Sequence, residues 1–133
     1  MRALMVEPGM APYEKEINGL KEMQTAVGGR IRAIYPFQEP VALVSNEESI
    51  FLKMPFNRSV EGGYGGIFGP FFVCGLSEDS FCSLTPEQMA QYKAKYYHAE
   101  ILLAVHGNEV ETVKIPPRTK QGPELPQRKG PRR

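Results

Sequence analysis

The run from Gly28 to Arg58, GGRIRAIYPFQEPVALVSNEESIFLKMPFNR, constrains the fold most, because strand-like apolar segments are held apart there by prolines and turn residues. From Arg30 to Pro36, Ile31, Ala33 and Tyr35 fall on one side of an extended chain and Arg30, Arg32 and Ile34 on the other, the pattern of a half-buried strand. Pro36 and Pro40 bracket a turn. The segment Val41-Ala42-Leu43-Val44-Ser45 is apolar almost throughout, which predicts a central strand. With Asn46 to Ser49 as a polar tip and Ile50-Phe51-Leu52 returning, residues 41–53 read as a hairpin.

Punctuation on either side extends the pattern. Arg2 to Glu7 is a short apolar strand ended by Pro8-Gly9, and Tyr13 to Ile17 alternates as a second strand able to pair with it. Asn18 is a candidate N-cap for a helix with Leu20, Met23 and Val27 on one face, stopped by Gly28-Gly29. Ile67 to Gly75 reads as one apolar strand whose Gly69-Pro70 interruption implies a bulge or an edge position. Thr85-Pro86-Glu87-Gln88 combines an N-cap, a proline at the first helical position and a capping-box glutamine, opening a helix that runs to Tyr97. Glu100–Val105 and Val110–Ile115 flank His106-Gly107-Asn108-Glu109 as a closing hairpin. The expectation is one α+β domain over residues 1–115, an antiparallel sheet with two helices. Residues 116–133 hold five prolines and one large aliphatic, Leu125, and are expected to form a disordered tail.

Charge divides along the same boundary. The tail carries six Lys or Arg against the single Glu124, while the preceding 115 residues carry ten basic and fourteen acidic side chains. A mildly acidic body with a basic extension follows. Cys74 and Cys82 sit among apolar neighbours and have neither CxxC spacing nor a neighbouring histidine ligand, so two buried free thiols are expected rather than a zinc site. No apolar run approaches the roughly 18 residues of a membrane span, and the expected compartment is the cytoplasm. No metal, cofactor or nucleophile–base signature stands out.

The polar candidates are few. Asn46, Glu47 and Glu48 pair carboxylates on a turn, suited to acid–base chemistry or a cation only if shielded from water. Asn57 and Arg58 follow Met54-Pro55-Phe56, and an arginine fork there suits either a carboxylate or phosphate ligand or a structural pairing with Glu47 or Glu48. Together with Tyr35 these are the expected residues for ligand or partner binding. The glycine-rich EGGYGG lacks the helix and Lys-Ser/Thr pair of a phosphate loop and reads as a flexible loop. His98 and His106 read as surface residues, and the stripe Tyr92, Tyr96 and Tyr97 as core with its hydroxyls at the rim rather than as a stacking surface for bases. In the tail, Arg118, Lys120, Arg128 and Lys129 are the candidates for salt-sensitive nucleic-acid binding.

Taken in order, YPFQEPVALVSNEE, PFNR, FFVCGL and FCSLTPEQMAQY resemble the DUF3846 family of small uncharacterised proteins, over roughly residues 1–97. The chain departs from that pattern at 59–66, where glycines replace a more polar segment, and in the tail. The resemblance implies an accessory role in bacterial mobile elements, phages or conjugative elements, and brings no active site with it. The leading expectation is a non-enzymatic binding protein of such an element, monomeric or homodimeric, that captures a protein, for example a host-defence factor, or a small ligand. The alternatives are a nucleic-acid accessory protein acting through the tail and a hydrolase using Glu47 or Glu48.

Overall fold

The strands that are apolar on both sides become the middle of one sheet. In the computed structural model, which describes residues 1–119, the elements run β1 (Arg2–Val6), β2 (Tyr13–Glu16), α1 (Gly19–Val27), β3 (Ile31–Ile34), β4 (Val41–Asn46), β5 (Phe56–Val60), β6 (Gly65–Phe68), β7 (Phe71–Leu76), β8 (Phe81–Cys82), α2 (Pro86–Lys95), β9 (Ala99–His106) and β10 (Glu109–Ile115). The main sheet has the order β2-β1-β7-β4-β3, with β8 pairing β7, and every pairing is antiparallel. This is an α+β domain.

Alternation along β1, β4 and β7 feeds two hydrophobic layers. Ala3, Met5, Ala42, Val44, Phe72 and Cys74 pack with Ile17 and with Val27 of α1 on one face. Leu4, Val6, Val41, Leu43, Phe71 and Val73 pack on the other face with Met89, Tyr92 and Tyr96 from α2 and its end, and with Val60 and Ile67 from the β5–β6 hairpin. A sheet covered on both sides has no need of polar residues in its central strands. The β5–β6 and β9–β10 pairs form separate two-stranded sheets, and the Ser59 N–H donates to the Glu100 carboxylate across them at 2.9 Å.

Helix α2 starts as its sequence directs. The Thr85 hydroxyl accepts the Gln88 N–H at 3.1 Å, and the Gln88 side chain returns to the Thr85 N–H at 3.0 Å. Thr85→Ala is expected to lower stability by about 1 kcal/mol, read from chemical denaturation, because the Gln88 N–H loses its acceptor. Helix α1 is capped differently: the Asn18 side chain makes no cap bond, and the Asn18 N–H instead donates to Glu22 at 2.7 Å.

Three expectations are corrected. Residues 41–53 are not a hairpin: β4 already has β3 and β7 on its two edges, so residues 47–53 fold into successive turns, closed by bonds such as Leu52 N–H to Glu48 O at 2.9 Å. Ile50 and Phe51 end up 73% and 82% exposed. Ile67 to Gly75 is two strands in different sheets, broken where Gly69 takes a φ of +81° and a Cβ would lie 2.5 Å from Met54 Sδ. Pro70 sits in that break, so β7 is central rather than an edge. On α1, Leu20 is exposed; Val27 is buried and Met23 and Ala26 supply the rest of the packed face.

The described chain continues past Ile115 to residue 119, and the disorder expected of the tail from residue 120 onward lies outside the described residues. Residues 116–119, placed by composition in the tail, include Arg118, whose N–H donates to Gly9 O at 2.9 Å and whose carbonyl accepts the Ala11 N–H at 2.6 Å.

Candidate functional site

Asn57 and Arg58 lie inside the domain. At the start of β5, the Asn57 side-chain amide donates to Val6 O at 2.9 Å and Gly69 O at 2.8 Å. Arg58 is 0% exposed and all five of its N–H groups are engaged. Its Nε donates to Tyr96 O at 3.2 Å, Nη1 to Asn57 O at 3.3 Å and Asn57 Oδ1 at 2.8 Å, and Nη2 to Met10 O at 2.6 Å and Tyr96 O at 2.9 Å. Burial draws the arginine pKa below its ordinary value, and the Glu100 charge opposes that shift. The fork caps the carbonyl end of α2, where a positive charge complements the helix dipole, and ties it to Met10 in the loop after β1, while Asn57 makes the bond to β1 itself. No donor is left for a ligand.

The NEE turn lies elsewhere. Asn46 is buried, its amide donating to Val27 O at 3.1 Å and its Oδ1 accepting the Glu48 N–H at 2.7 Å, so it joins the end of α1 to the turn. Glu47 faces Arg30 across 3.5 Å at the solvent-exposed surface. Neither carboxylate is among the partners of Arg58, so the pairing of Arg58 with Glu47 or Glu48 that the sequence allowed is not formed. His106 pairs with Glu111 at the surface, at 2.9 Å. Both cysteines are free, but only Cys74 is buried, where burial pushes its thiol up to about 12; Cys82 on the short β8 is half-buried, and Tyr97, expected in the core, lies past the end of α2 and is 48% exposed. Of the tail candidates only Arg118 belongs to the described residues; Lys120, Arg128 and Lys129 lie outside them.

Tyr35, just past β3 and 54% exposed, stands at an open groove of about 680 Å³ between the start of α1 and the β7–β8 turn. Ile17, Met23, Leu76 and Phe81 give it an apolar floor, and Glu78 and Asp79 an acidic rim. The rim is locally fixed: the Ser77 N–H and hydroxyl both donate to Ser80 O, at 2.8 and 3.0 Å. Folding β8 back on β7 needs Gly75, where a Cβ would lie 2.8 Å from Ser83 O and 3.0 Å from Cys82 Sγ. Leu76 is anchored through its N–H to Pro40 O at 2.8 Å, which brings the loop after Tyr35 against the same end of the sheet. The lining holds no Lys or Arg, and its one ammonium, that of Met1, is paired with the Glu16 carboxylate at 2.8 Å, so the Glu78–Asp79 rim leaves the groove suited to a ligand with an apolar body and a positive group.

Sequence reasoning reached Tyr35 and missed the rest. The signal was SEDS between two apolar segments, a turn carrying adjacent carboxylates, but nothing local places it beside the start of α1.

The architecture and groove define a small α+β domain with a double-covered antiparallel sheet and an acidic-rimmed apolar cleft at one end. The chain belongs to the family described as a domain of unknown function (DUF3846), which matches residues 1–97. That span ends just after α2, and the β9–β10 hairpin follows it. No curated protein and no solved structure matches the chain.

Proposed function

We propose that the protein is a non-enzymatic accessory binding protein whose working surface is the groove beside Tyr35. The observation that carries the reading is the pairing of an apolar floor with two solvated carboxylates on a turn. An apolar floor supplies affinity through burial, and the rim selects for positive charge without placing either carboxylate in the dry setting that acid–base catalysis requires. A ligand of this chemistry is a small organic cation with an apolar body or an aliphatic or aromatic side chain flanked by Lys or Arg on a protein partner. The accessory role in a phage or conjugative element comes from the family likeness; action in the cytoplasm on a host factor is part of the same proposal, and the groove is the surface we assign to it. No helix among the described residues is long and apolar enough to cross a membrane.

The test is a fragment titration followed by ¹⁵N NMR, with cationic, neutral and anionic members of matched apolar size. Cationic fragments are expected to shift the amides around Ser77–Phe81, with binding weakened roughly fivefold to tenfold in a Glu78→Gln/Asp79→Asn variant and by added salt. Shifts confined to another surface, or equal affinity for all three charge classes, would overturn the assignment.

A further inference from the structure

A second cavity, of about 430 Å³, opens between the glycine-rich β5–β6 turn, the end of α2 and the β9–β10 hairpin. Tyr96 lies in its wall. The residue is 3% exposed and its hydroxyl has no hydrogen-bond partner, the one such buried side-chain group among the described residues. A hydroxyl taken out of water and left without a partner is destabilising unless something bonds to it. The Tyr96 carbonyl is held by two Arg58 bonds, and its ring stands edge-on to Phe71 at 5.4 Å, so the side chain is not free to turn away. Glu61 and Glu100, both in the same lining, bear on the hydroxyl; after burial, they are among the causes that raise its pKa above the ordinary tyrosine value, so it remains a proton donor at neutral pH.

The charges around this hydroxyl are arranged unusually. Lys95 and Glu61 neutralise each other at 2.8 Å. Glu100 and Lys114 are direct cross-strand partners in β9 and β10, a placement that puts their Cβ atoms about 5 Å apart on one face. They nevertheless form no ion pair, because the Glu100 carboxylate turns to the Ser59 N–H at 2.9 Å. Outside the Lys95–Glu61 pair the cavity is thus lined by the Glu100 and Glu109 carboxylates and the Lys114 ammonium, with Glu100 and Lys114 held apart and a hydroxyl donor beside them.

We propose that this cavity binds a small zwitterion of amino-acid size, its ammonium on Glu100, its carboxylate on Lys114, and a polar atom on the Tyr96 hydroxyl. The volume is within the range of small-molecule sites. Glu100 and Lys114 lie beyond residue 97, so the hairpin that follows the family's span completes the site.

The experiment is an NMR titration of the full chain, ¹³C-labelled at tyrosine and ¹⁵N-labelled throughout, with the free amino acids at millimolar concentration. The best binder is then repeated as its C-terminal amide and its N-acetyl derivative. Expected are shifts of the Tyr96 ring and the Ser59 amide, a loss of roughly tenfold in affinity on blocking either charge, and a comparable loss in Tyr96→Phe and in Lys114→Gln. Both variants should keep the wild-type circular dichroism spectrum. The proposal fails if no free amino acid shifts these signals, the outcome expected when water alone satisfies Tyr96. It also fails if the blocked derivatives bind as well as the zwitterion, or if binding survives both substitutions. Shifts confined to the Tyr35 groove would likewise defeat it without touching the function proposed for that groove.

Discussion

Arg58→Ala is expected to lower the free energy of unfolding by about 3 kcal/mol or more, measured by guanidinium titration of the far-UV signal. The substitution removes five donated hydrogen bonds at once and leaves the carbonyls of Met10 and Tyr96 and the Asn57 Oδ1 without that donor. It also removes the positive charge from the carbonyl end of α2. Arg58→Lys should rescue little, because one ammonium with three donors cannot reach Tyr96, Met10 and Asn57 together. A loss below about 0.5 kcal/mol for Arg58→Ala, the range of an ordinary surface change, would show that the network does not hold the domain together.

Phe71→Ala is expected to cost about 3–5 kcal/mol. Phe71 is fully buried at the start of β7, where it pairs with Val6 of β1 and Ser45 of β4, and its ring meets Tyr96 edge-on at 79°. Removing the ring leaves a cavity walled by the sheet and the end of α2, elements that cannot both close in, since each is fixed by its own hydrogen bonds. Phe51→Ala makes the control: Phe51 is 82% exposed and should change stability by less than about 0.5 kcal/mol. Similar losses for the two variants would contradict the layered core.

Much of the fold was legible locally. The capping box at Thr85–Gln88 is set within one helical turn, the β1–β2 and β9–β10 pairs join strands that follow one another in the chain, and each forms where the sequence places it. The failures share one cause. The turn signal at Asn46–Ser49 is the same whether the chain pairs back on itself or not, and β7, nearly thirty residues ahead, takes the edge that Ile50–Leu52 would have used. Gly69-Pro70 looks like an interruption within one strand, yet it is where the chain leaves the β5–β6 hairpin and enters the main sheet.

The sites divide in the same way. The Asn57-Arg58 pair drew attention because it is polar among apolar neighbours, and that contrast signalled burial and structural bonding rather than contact with a ligand. Composition and periodicity alone determined the α+β class, two helix positions, the central character of Val41–Ser45 and the basic C-terminal extension. The tertiary structure alone decided that Arg58 is spent on backbone carbonyls, that Tyr35 faces the SEDS turn, and that Tyr96 keeps an unpartnered hydroxyl beside Glu100 and Lys114. The physical reason is range: caps and alternation act over a few residues, whereas a guanidinium or a groove is defined by groups that only the closed sheet brings within a few ångströms.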